Sequence, residues 1–320
     1  MRLTTLLVTV FAATARGCGF RRRSEQGART KRGDNGPPFS IQQLTKTTHL
    51  IIQNDDYIEY PFVYVKQYPD IPLTLVVDTG CGAQNGKPGN PAVELNDFIE
   101  EKLPLKATSH CHFDHISGIQ PFADAGADIV SSGFNKSFIA PENLAANALT
   151  TAFGTITPSY NVSNFAAQHE RLQYKGVDLG LLVLQTPGHT PDSMAIYDEN
   201  ERWIFTGEYA ANWKDFVNSI EELLAFVNEK DHDVTSEKCV RLGAGHSTAD
   251  VPAGKMIKSA LDFIRSVEKG DVPVIARLPG DEVAPGGDLG EAVFFYWQSP
   301  GNPEFSLLAP GSFRKDFGTT

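Results

Sequence analysis

A six-residue segment beginning at His110 concentrates side chains that could hold metal ions. It reads His-Cys-His-Phe-Asp-His and contains three of the 8 histidines in the chain. Imidazole nitrogen and carboxylate oxygen are ligands that zinc and iron accept. In an extended segment alternate side chains share a face, so His110 and His112 point the same way and Cys111 points away. Asp114 and His115 follow where the chain bends, which indicates two adjacent metal positions.

Further polar candidates come directly after predicted strands. Strands of two stacked sheets that deliver polar side chains at one edge can form a site there. We therefore expect these residues to approach the histidine-rich segment. They are Asp78, His189, Glu208 and His246, which follow predicted strands 73–77, 177–184, 202–206 and 239–242.

The order and spacing of these segments resemble the five motifs of the metallo-β-lactamase superfamily. His-x-His-x-Asp-His is highly specific for that superfamily, and Pro-Gly-His-Thr at 187–190 is moderately specific. Gly-Ala-Gly-His at 243–246 is weak alone, but its position after the other motifs supports the resemblance. The resemblance runs from about residue 75 to residue 246. It implies an α/β fold of the αββα type, a four-layer sandwich with two central sheets between helices.

The resemblance also implies two metal sites. Three histidines would hold the first ion: His110, His112 and His189. The second would be held by Asp114, His115 and His246. Glu208 stands where the family usually has a bridging aspartate, but it is one methylene longer and the next helix follows almost at once. We expect two zinc ions per chain, or one if Glu208 does not bridge, with Asp78 orienting the ligands from behind.

The metal chemistry predicts a hydrolase. A zinc ion lowers the pKa of bound water from about 15.7 towards 7, and Asp114 could orient the resulting hydroxide and pass a proton to the leaving group. The expected reaction is cleavage of a C–N, C–O or C–S acyl bond in a small molecule such as a lactam or lactone. Detoxification or secondary metabolism would be a plausible setting by analogy of fold.

Three alternatives remain open. The first is a thioesterase of the glyoxalase II or carrier-protein type, which would need a basic patch for glutathione carboxylates. The second is a persulfide dioxygenase with one iron, and the third is a binding protein without turnover. The candidate residues for that basic patch are Lys255, Lys258, Arg265 and Lys269.

Two other classes of hydrolase are excluded by missing motifs. An aspartic protease would need a second Asp-Thr-Gly loop besides the one at 78–80, and a serine hydrolase would need a Gly-x-Ser-x-Gly elbow. The sequence contains neither.

Composition limits the partners. Hydrophobic residues make up 41% of the chain and charged residues 21%, as in soluble globular proteins. The formal charge of −11 argues against nucleic acid as the main partner, although it permits a single anionic substrate. The segment between Glu208 and His246 is too short for the extra domain of nucleic-acid-cutting relatives. We expect a small-molecule substrate and no integral membrane segment, and the oligomeric state is left open.

The chain divides into a leader at 1–38, a folded domain at 39–300 and a tail at 301–320. The leader has an apolar run and small residues typical of a secretory signal, followed by arginines that also suit mitochondrial import. This pattern favours secretion over a cytoplasmic location.

Segment 133–168 could form a lid or pack as a short helix pair. Helices are predicted at 90–102, 115–125, 215–229 and 252–267.

Overall fold

The computed structural model describes residues 10–12, 37–55, 57, 59–82, 94–99, 104–208, 212–246, 248–279, 292–297 and 305–311. The first strand in these ranges is β1 (Val10–Ala12), within the predicted leader. The rest of that leader up to residue 36 lies outside the described residues, as do Asn90 and Pro91, the predicted start of a helix.

The first sheet has seven strands that neighbour one another in chain order. They are β2 (Phe39–Gln43), β3 (Thr48–Gln53), β4 (Phe62–Tyr68), β5 (Leu73–Val77), β6 (Pro104–Ala107), β7 (Asp128–Ser132) and β8 (Asn164–Ala166). The first four are antiparallel, whereas β5 to β8 run parallel to one another. The carboxyl ends of β5 and β6 therefore meet at one edge of this sheet.

The second sheet has six strands, again adjacent in chain order. They are β9 (Arg171–Tyr174), β10 (Val177–Gln185), β11 (Met194–Asp198), β12 (Trp203–Phe205), β13 (Arg241–Gly243) and β14 (Val251–Pro252). All pairs are antiparallel except β12 and β13. Because β10, β12 and β13 consequently run in the same direction, their carboxyl ends also share an edge.

The α-helices of the described residues lie on the outer faces of the two stacked sheets and beside the histidine-rich loop. They are α1 (Leu95–Ile99), α2 (Phe113–Ile116), α3 (Gln120–Asp124), α4 (Pro141–Asn147), α5 (Thr150–Phe153), α6 (Trp213–Asp231) and α7 (Ala253–Glu268). None of the helices in the described part of the chain is both long and apolar enough to cross a membrane.

Three apolar clusters define the layers. Residues of both sheets, among them Leu75 and Phe205, share the central core. Leu95 of α1 and Phe122 of α3 pack on the outer face of the first sheet. The apolar stripes of α6 and α7 pack on the outer face of the second sheet, with Phe216 in that cluster. This arrangement confirms the predicted αββα sandwich.

A third, four-stranded sheet includes part of the predicted tail. It joins β1 to β15 (Val274–Leu278), β16 (Val293–Trp297) and β17 (Phe305–Pro310), in the order β1-β17-β16-β15. Phe305 and Leu307 of β17 are buried in the cluster around α6 and α7. β17 thus lies within the predicted tail at 301–320 and forms part of this sheet.

Two short helices replace the single helix predicted at 115–125. α2 ends at Ile116 and α3 begins at Gln120. The interruption lies at Gly118, whose amide bonds the Gly80 carbonyl oxygen at 3.3 Å. A Cβ at Gly118 would come within 2.1 Å of the Thr79 carbonyl oxygen. The chain leaves the helical path here because its backbone must fit against the loop after β5.

Segment 133–168 contains the short helix pair α4 and α5, one of the two predicted possibilities. Ile139 and Leu144 are buried against Cys111 and Ile116. The segment therefore packs behind the histidine-rich loop, and its apolar side chains support that loop. Cys111 faces this cluster, as the alternation of side chains predicted.

Candidate metal centre

Loops after five strands bring the candidate residues to one edge of the sandwich. Asp78 follows β5, the His110 segment follows β6, and His189, Glu208 and His246 follow β10, β12 and β13. The two sheets are tied together at this edge by backbone hydrogen bonds. Met194 N donates to the Ser109 carbonyl at 2.8 Å, and Phe62 N donates to the Gly245 carbonyl at 2.7 Å.

The first group of donor atoms comprises three buried imidazoles and one carboxylate: His110, His112, His189 and Glu208. His112 Nδ1 lies 3.1 Å from His110 Nε2 and 2.8 Å from His189 Nε2. His189 Nε2 lies 3.0 Å from Glu208 Oε2. These nitrogens and this oxygen converge on one point, as ligands of a shared ion would.

The second group consists of Asp114, His115, Glu208 and His246. Asp114 Oδ2 lies 3.3 Å from His115 Nε2 and 3.1 Å from His246 Nε2. Glu208 Oε1 contacts His246 Nε2 and lies 3.8 Å from His115 Nε2. Glu208 therefore turns one oxygen to each group, which is the arrangement that a bridging carboxylate requires.

Asp78 lies behind these donors and holds Ser109 and His115 in place. Its Oδ1 accepts a hydrogen bond from Ser109 N at 2.7 Å, and its Oδ2 accepts one from Ser109 Oγ at 2.9 Å. Oδ2 also lies 2.8 Å from His115 Nδ1. With Nδ1 held in this way, the Nε2 lone pair of His115 is left for an ion.

Two motif glycines leave room for the imidazoles. A Cβ at Gly207 would come within 2.6 Å of Ser109 Oγ and 3.0 Å of His110 Nδ1. A Cβ at Gly245 would come within 2.8 Å of the His115 ring. The glycines before Glu208 and His246 are thus required by close approach to the histidines.

Burial keeps two histidines neutral. It lowers the pKa of His112 to about 3, and it lowers the pKa of His110 well below its ordinary value. The surrounding histidines act in the same direction, since a charged imidazole would be repelled by its neighbours. Neutral imidazoles offer the lone pairs that a metal ion needs.

The centre contains two carboxylates: Asp114 in the second group, and Glu208, which the two groups share. Burial would raise the pKa of Asp114 and Glu208, but nearby histidines hold both well below their ordinary values. Burial opposes charge on His115 and His246, yet these carboxylates raise the pKa of both imidazoles. The two acids are therefore ionised near neutral pH.

The geometry fits two divalent cations. His115 Nε2 and His246 Nε2 are buried and form no hydrogen bond within the described residues. Buried polar atoms are normally paired, so unpaired nitrogens aimed at a carboxylate indicate a missing positive partner. Each group offers four nitrogen or oxygen donors within 4.8 Å of one another, which suits zinc or another divalent transition metal.

The fold and this site define a class of metal-dependent proteins. The model of the metallo-beta-lactamase superfamily matches residues 73–246, so the chain belongs to that superfamily. The matched range extends from the start of β5 to His246 and contains all the candidate residues named above.

Solved structures with low sequence identity share the fold. A metallo-beta-lactamase family protein from Thermus thermophilus is 19% identical with a TM-score of 0.51, over 71% of this chain and 82% of that chain. A metallo-beta-lactamase from Erythrobacter litoralis, solved with beta-mercaptoethanol in its active site, is 14% identical with a TM-score of 0.50. That match covers 72% of this chain and 97% of the other.

A curated relative carries a different kind of name. A protein of Aspergillus versicolor named "Putative transcription factor avaE" is 28% identical over 267 residues. The match covers 73% of this chain and 78% of that protein.

The sequence gives no signal that the connection between β3 and β4 contributes to this centre. Asp55 is buried there and accepts backbone hydrogen bonds from Tyr57, Glu59 and Tyr60 at 2.8, 3.2 and 2.6 Å. The Glu59 carbonyl lies 2.8 Å from His246 Nδ1 and orients that ring. An aspartate among turn residues is too common to signal this role.

Two of the four predicted basic-patch residues form ion pairs with acids on the helices. Lys258 pairs with Asp262 at 2.5 Å along α7. Arg265 contacts Glu221 of α6 and lies 2.7 Å from Glu268. These ion pairs are those of a solvated helix surface.

Proposed function

We propose that this protein is a dinuclear zinc hydrolase that cleaves an acyl bond of a small molecule such as a lactone or lactam. The observation that carries the proposal is Glu208, whose two oxygens face the two donor groups separately. A site built for one ion would leave Asp114, His115 and His246 without a function. For this reason a mononuclear iron oxygenase is less compatible with the geometry.

Bound zinc would supply Lewis acidity, which lowers the pKa of water and polarises a carbonyl. Asp114 supplies the proton chemistry: its carboxylate is ionised and buried beside His115 and His246. It can orient a water molecule and pass a proton from that water to the leaving atom. Burial of the histidines excludes bulk water from the donors and strengthens these interactions.

The name of the Aspergillus relative raises a role in transcription as another possibility. The formal charge of −11 and the concentration of buried donors favour a small-molecule reaction over DNA contact. We therefore retain the proposal that the protein is a hydrolase.

The test combines elemental analysis with a substrate panel. We expect the purified chain to bind two zinc ions and to hydrolyse at least one member of a lactone, lactam and thioester panel. His112→Ala should lose metal and at least about 100-fold in kcat/KM, because His112 Nδ1 contacts two other donors. The matched control is His232→Ala, since His232 is exposed and lies outside the centre.

Full turnover by His112→Ala would contradict the proposal. So would a zinc-loaded wild-type protein that hydrolyses no member of the panel.

A further inference from the structure

The metal centre opens to solvent on the side of its second donor group. The side chains of Asp114, Glu208 and His246 are 9–11% exposed, whereas the histidines of the first group are at most 2% exposed. A substrate therefore reaches the centre past these three residues. The side chains beside them determine which chemical group can lie next to the scissile bond.

Three aromatic rings border this open side. Phe113 directly precedes the aspartate ligand. Tyr57 lies two residues before Glu59, whose carbonyl oxygen lies 2.8 Å from His246 Nδ1. Phe113 stacks on Phe153 with 4.1 Å between the ring centroids, and Tyr57 meets these two rings edge-on at 5.3 and 6.2 Å. We call these three rings the aromatic group.

The aromatic group is separate from the hydrophobic core. None of its rings belongs to the four apolar clusters formed by the described residues. Phe113 is buried, while Tyr57 and Phe153 are each partly exposed. Aromatic side chains provide a large apolar area for contact, so the group presents an apolar surface beside the centre.

The backbone fixes the two partly exposed rings. Buried Asp55 accepts hydrogen bonds from three amides of the β3–β4 connection, that of Tyr57 among them. Phe153 belongs to α5, which begins after Leu149, a residue in the left-handed region with a φ of 61°. Such a conformation persists only where the surrounding structure holds it. Rings held in this way lose little conformational entropy when a ligand binds.

We propose that the aromatic group is a binding subsite for an alkyl or aryl group of the substrate, next to the scissile bond. This inference rests on the proposed function and narrows its substrates to acyl compounds with an apolar substituent. Contact with the rings removes hydrocarbon surface from water, so each added methylene should strengthen binding by up to about fourfold. A charged group at this position would lose hydration without gaining a partner.

Two hydroxamates test the subsite without turnover. Acetohydroxamate and hexanohydroxamate share a metal-binding head and differ only in the length of a neutral alkyl chain. Calorimetry measures the binding of each to the zinc-loaded full chain. The dissociation constant of acetohydroxamate divided by that of hexanohydroxamate is the chain-length ratio, which measures the contribution of the alkyl chain.

We expect a chain-length ratio of at least about 30 in the wild-type protein and a ratio about tenfold lower in Phe153→Ala and Tyr57→Ala. Affinity for acetohydroxamate should stay within about twofold in both variants, because its methyl group makes little apolar contact. The matched control is Phe226→Ala, which removes a partly exposed ring of α6 that packs on Tyr197. This control should keep the wild-type ratio.

A wild-type ratio near one would overturn the inference and leave the hydrolase proposal intact. The same conclusion would follow if both variants bound the two hydroxamates equally more weakly, since the rings would then support only the metal loop. If one variant does not fold, the other decides. A wild-type chain that binds neither hydroxamate would refute the proposed function, and the inference with it.

Discussion

Glu208 joins the two groups of donors through the two oxygens of one carboxylate. Oε2 lies 3.0 Å from His189 Nε2, and Oε1 contacts His246 Nε2. The resemblance to the family does not by itself decide whether Glu208 bridges the two metal positions, because glutamate is longer than aspartate. In the structure the added methylene does not displace the carboxylate from the space between the histidines.

Glu208→Gln should reduce the metal content from two ions to one. An amide offers one oxygen and an NH₂ group that repels a cation, so the second group loses its shared ligand. We expect kcat/KM to fall at least about 100-fold, as for loss of a metal ligand. Elemental analysis and kinetics check both effects, with Glu222→Gln as the matched control. Two retained ions in Glu208→Gln would contradict the bridging role.

In the metal-free protein, the contribution of His112 to stability should fall as the pH drops below 6.5. Burial lowers the pKa of His112 to about 3 from its ordinary 6.5, so between these values the unfolded chain binds the proton and the folded chain does not. His115 and His246 have raised pKa values, so their stabilisation is complete below pH 6.5 and is lost only as the pH rises through those values.

Urea unfolding of chelator-treated protein at pH 7, 6, 5 and 4 measures this effect. The midpoint of the wild-type protein minus that of His112→Asn should fall with each step, because only the wild-type chain contains this group. A difference that does not fall on acidification would show that His112 is not buried in its neutral form.

The residues of the centre were largely predictable, whereas their surroundings were not. His110, His112 and His115 lie in a dense motif, and the other candidates mark the ends of apolar strands. The connection between β3 and β4 is different, because it has no periodicity and is shaped by backbone amides that donate to the buried Asp55 carboxylate. Local sequence carries no signal for such tertiary contacts.

At the scale of elements, short loops after the strands position the centre, and two of them depend on glycine. Gly207→Ala should weaken metal binding at least about tenfold with little change in fold. Its Cβ would press on Ser109 Oγ and His110 Nδ1, which cannot both move without disturbing Asp78. Chelator competition measures the affinity. The control is Gly254→Ala, whose Cβ would make only an ordinary 3.5 Å contact with Val227. Equal affinity in both variants would contradict this role.

Elements with regular apolar periodicity were predicted well, and those shaped by the site were not. α6 and α7 match the stripes at 215–229 and 252–267 to within two residues at each end. β6 ends at Ala107, because Ser109 turns to Asp78 and to Met194 of the other sheet. Contacts between sheets thus override the local strand pattern.

At the scale of the whole molecule, an ionic cluster joins the two sheets away from the centre. Lys66 Nζ of β4 lies 2.6 Å from Asp198 Oδ2 and 3.2 Å from Glu201 Oε2 in the β11–β12 turn. Glu201 also accepts hydrogen bonds from three threonines at 2.5–2.6 Å: Thr45, Thr47 and Thr48. This cluster closes the sandwich at the end of β12 remote from Glu208.

Lys66→Met should lower the free energy of unfolding by about 3–5 kcal/mol, since it leaves Asp198 buried without its cation. Lys258→Met removes an exposed pair with Asp262 and should cost less than about 0.5 kcal/mol. Urea unfolding of both variants measures the difference. Equal stability of the two variants would contradict a structural role for the buried cluster.

The central claim is that seven residues from four loops hold two divalent ions, and metal stoichiometry tests it most directly. The chain would be stripped with a chelator, titrated with zinc and analysed for bound metal after removal of free ions. The structure predicts a plateau at two zinc ions per chain for the wild-type protein and at one for Glu208→Gln. A wild-type plateau at one ion per chain or fewer would contradict the account.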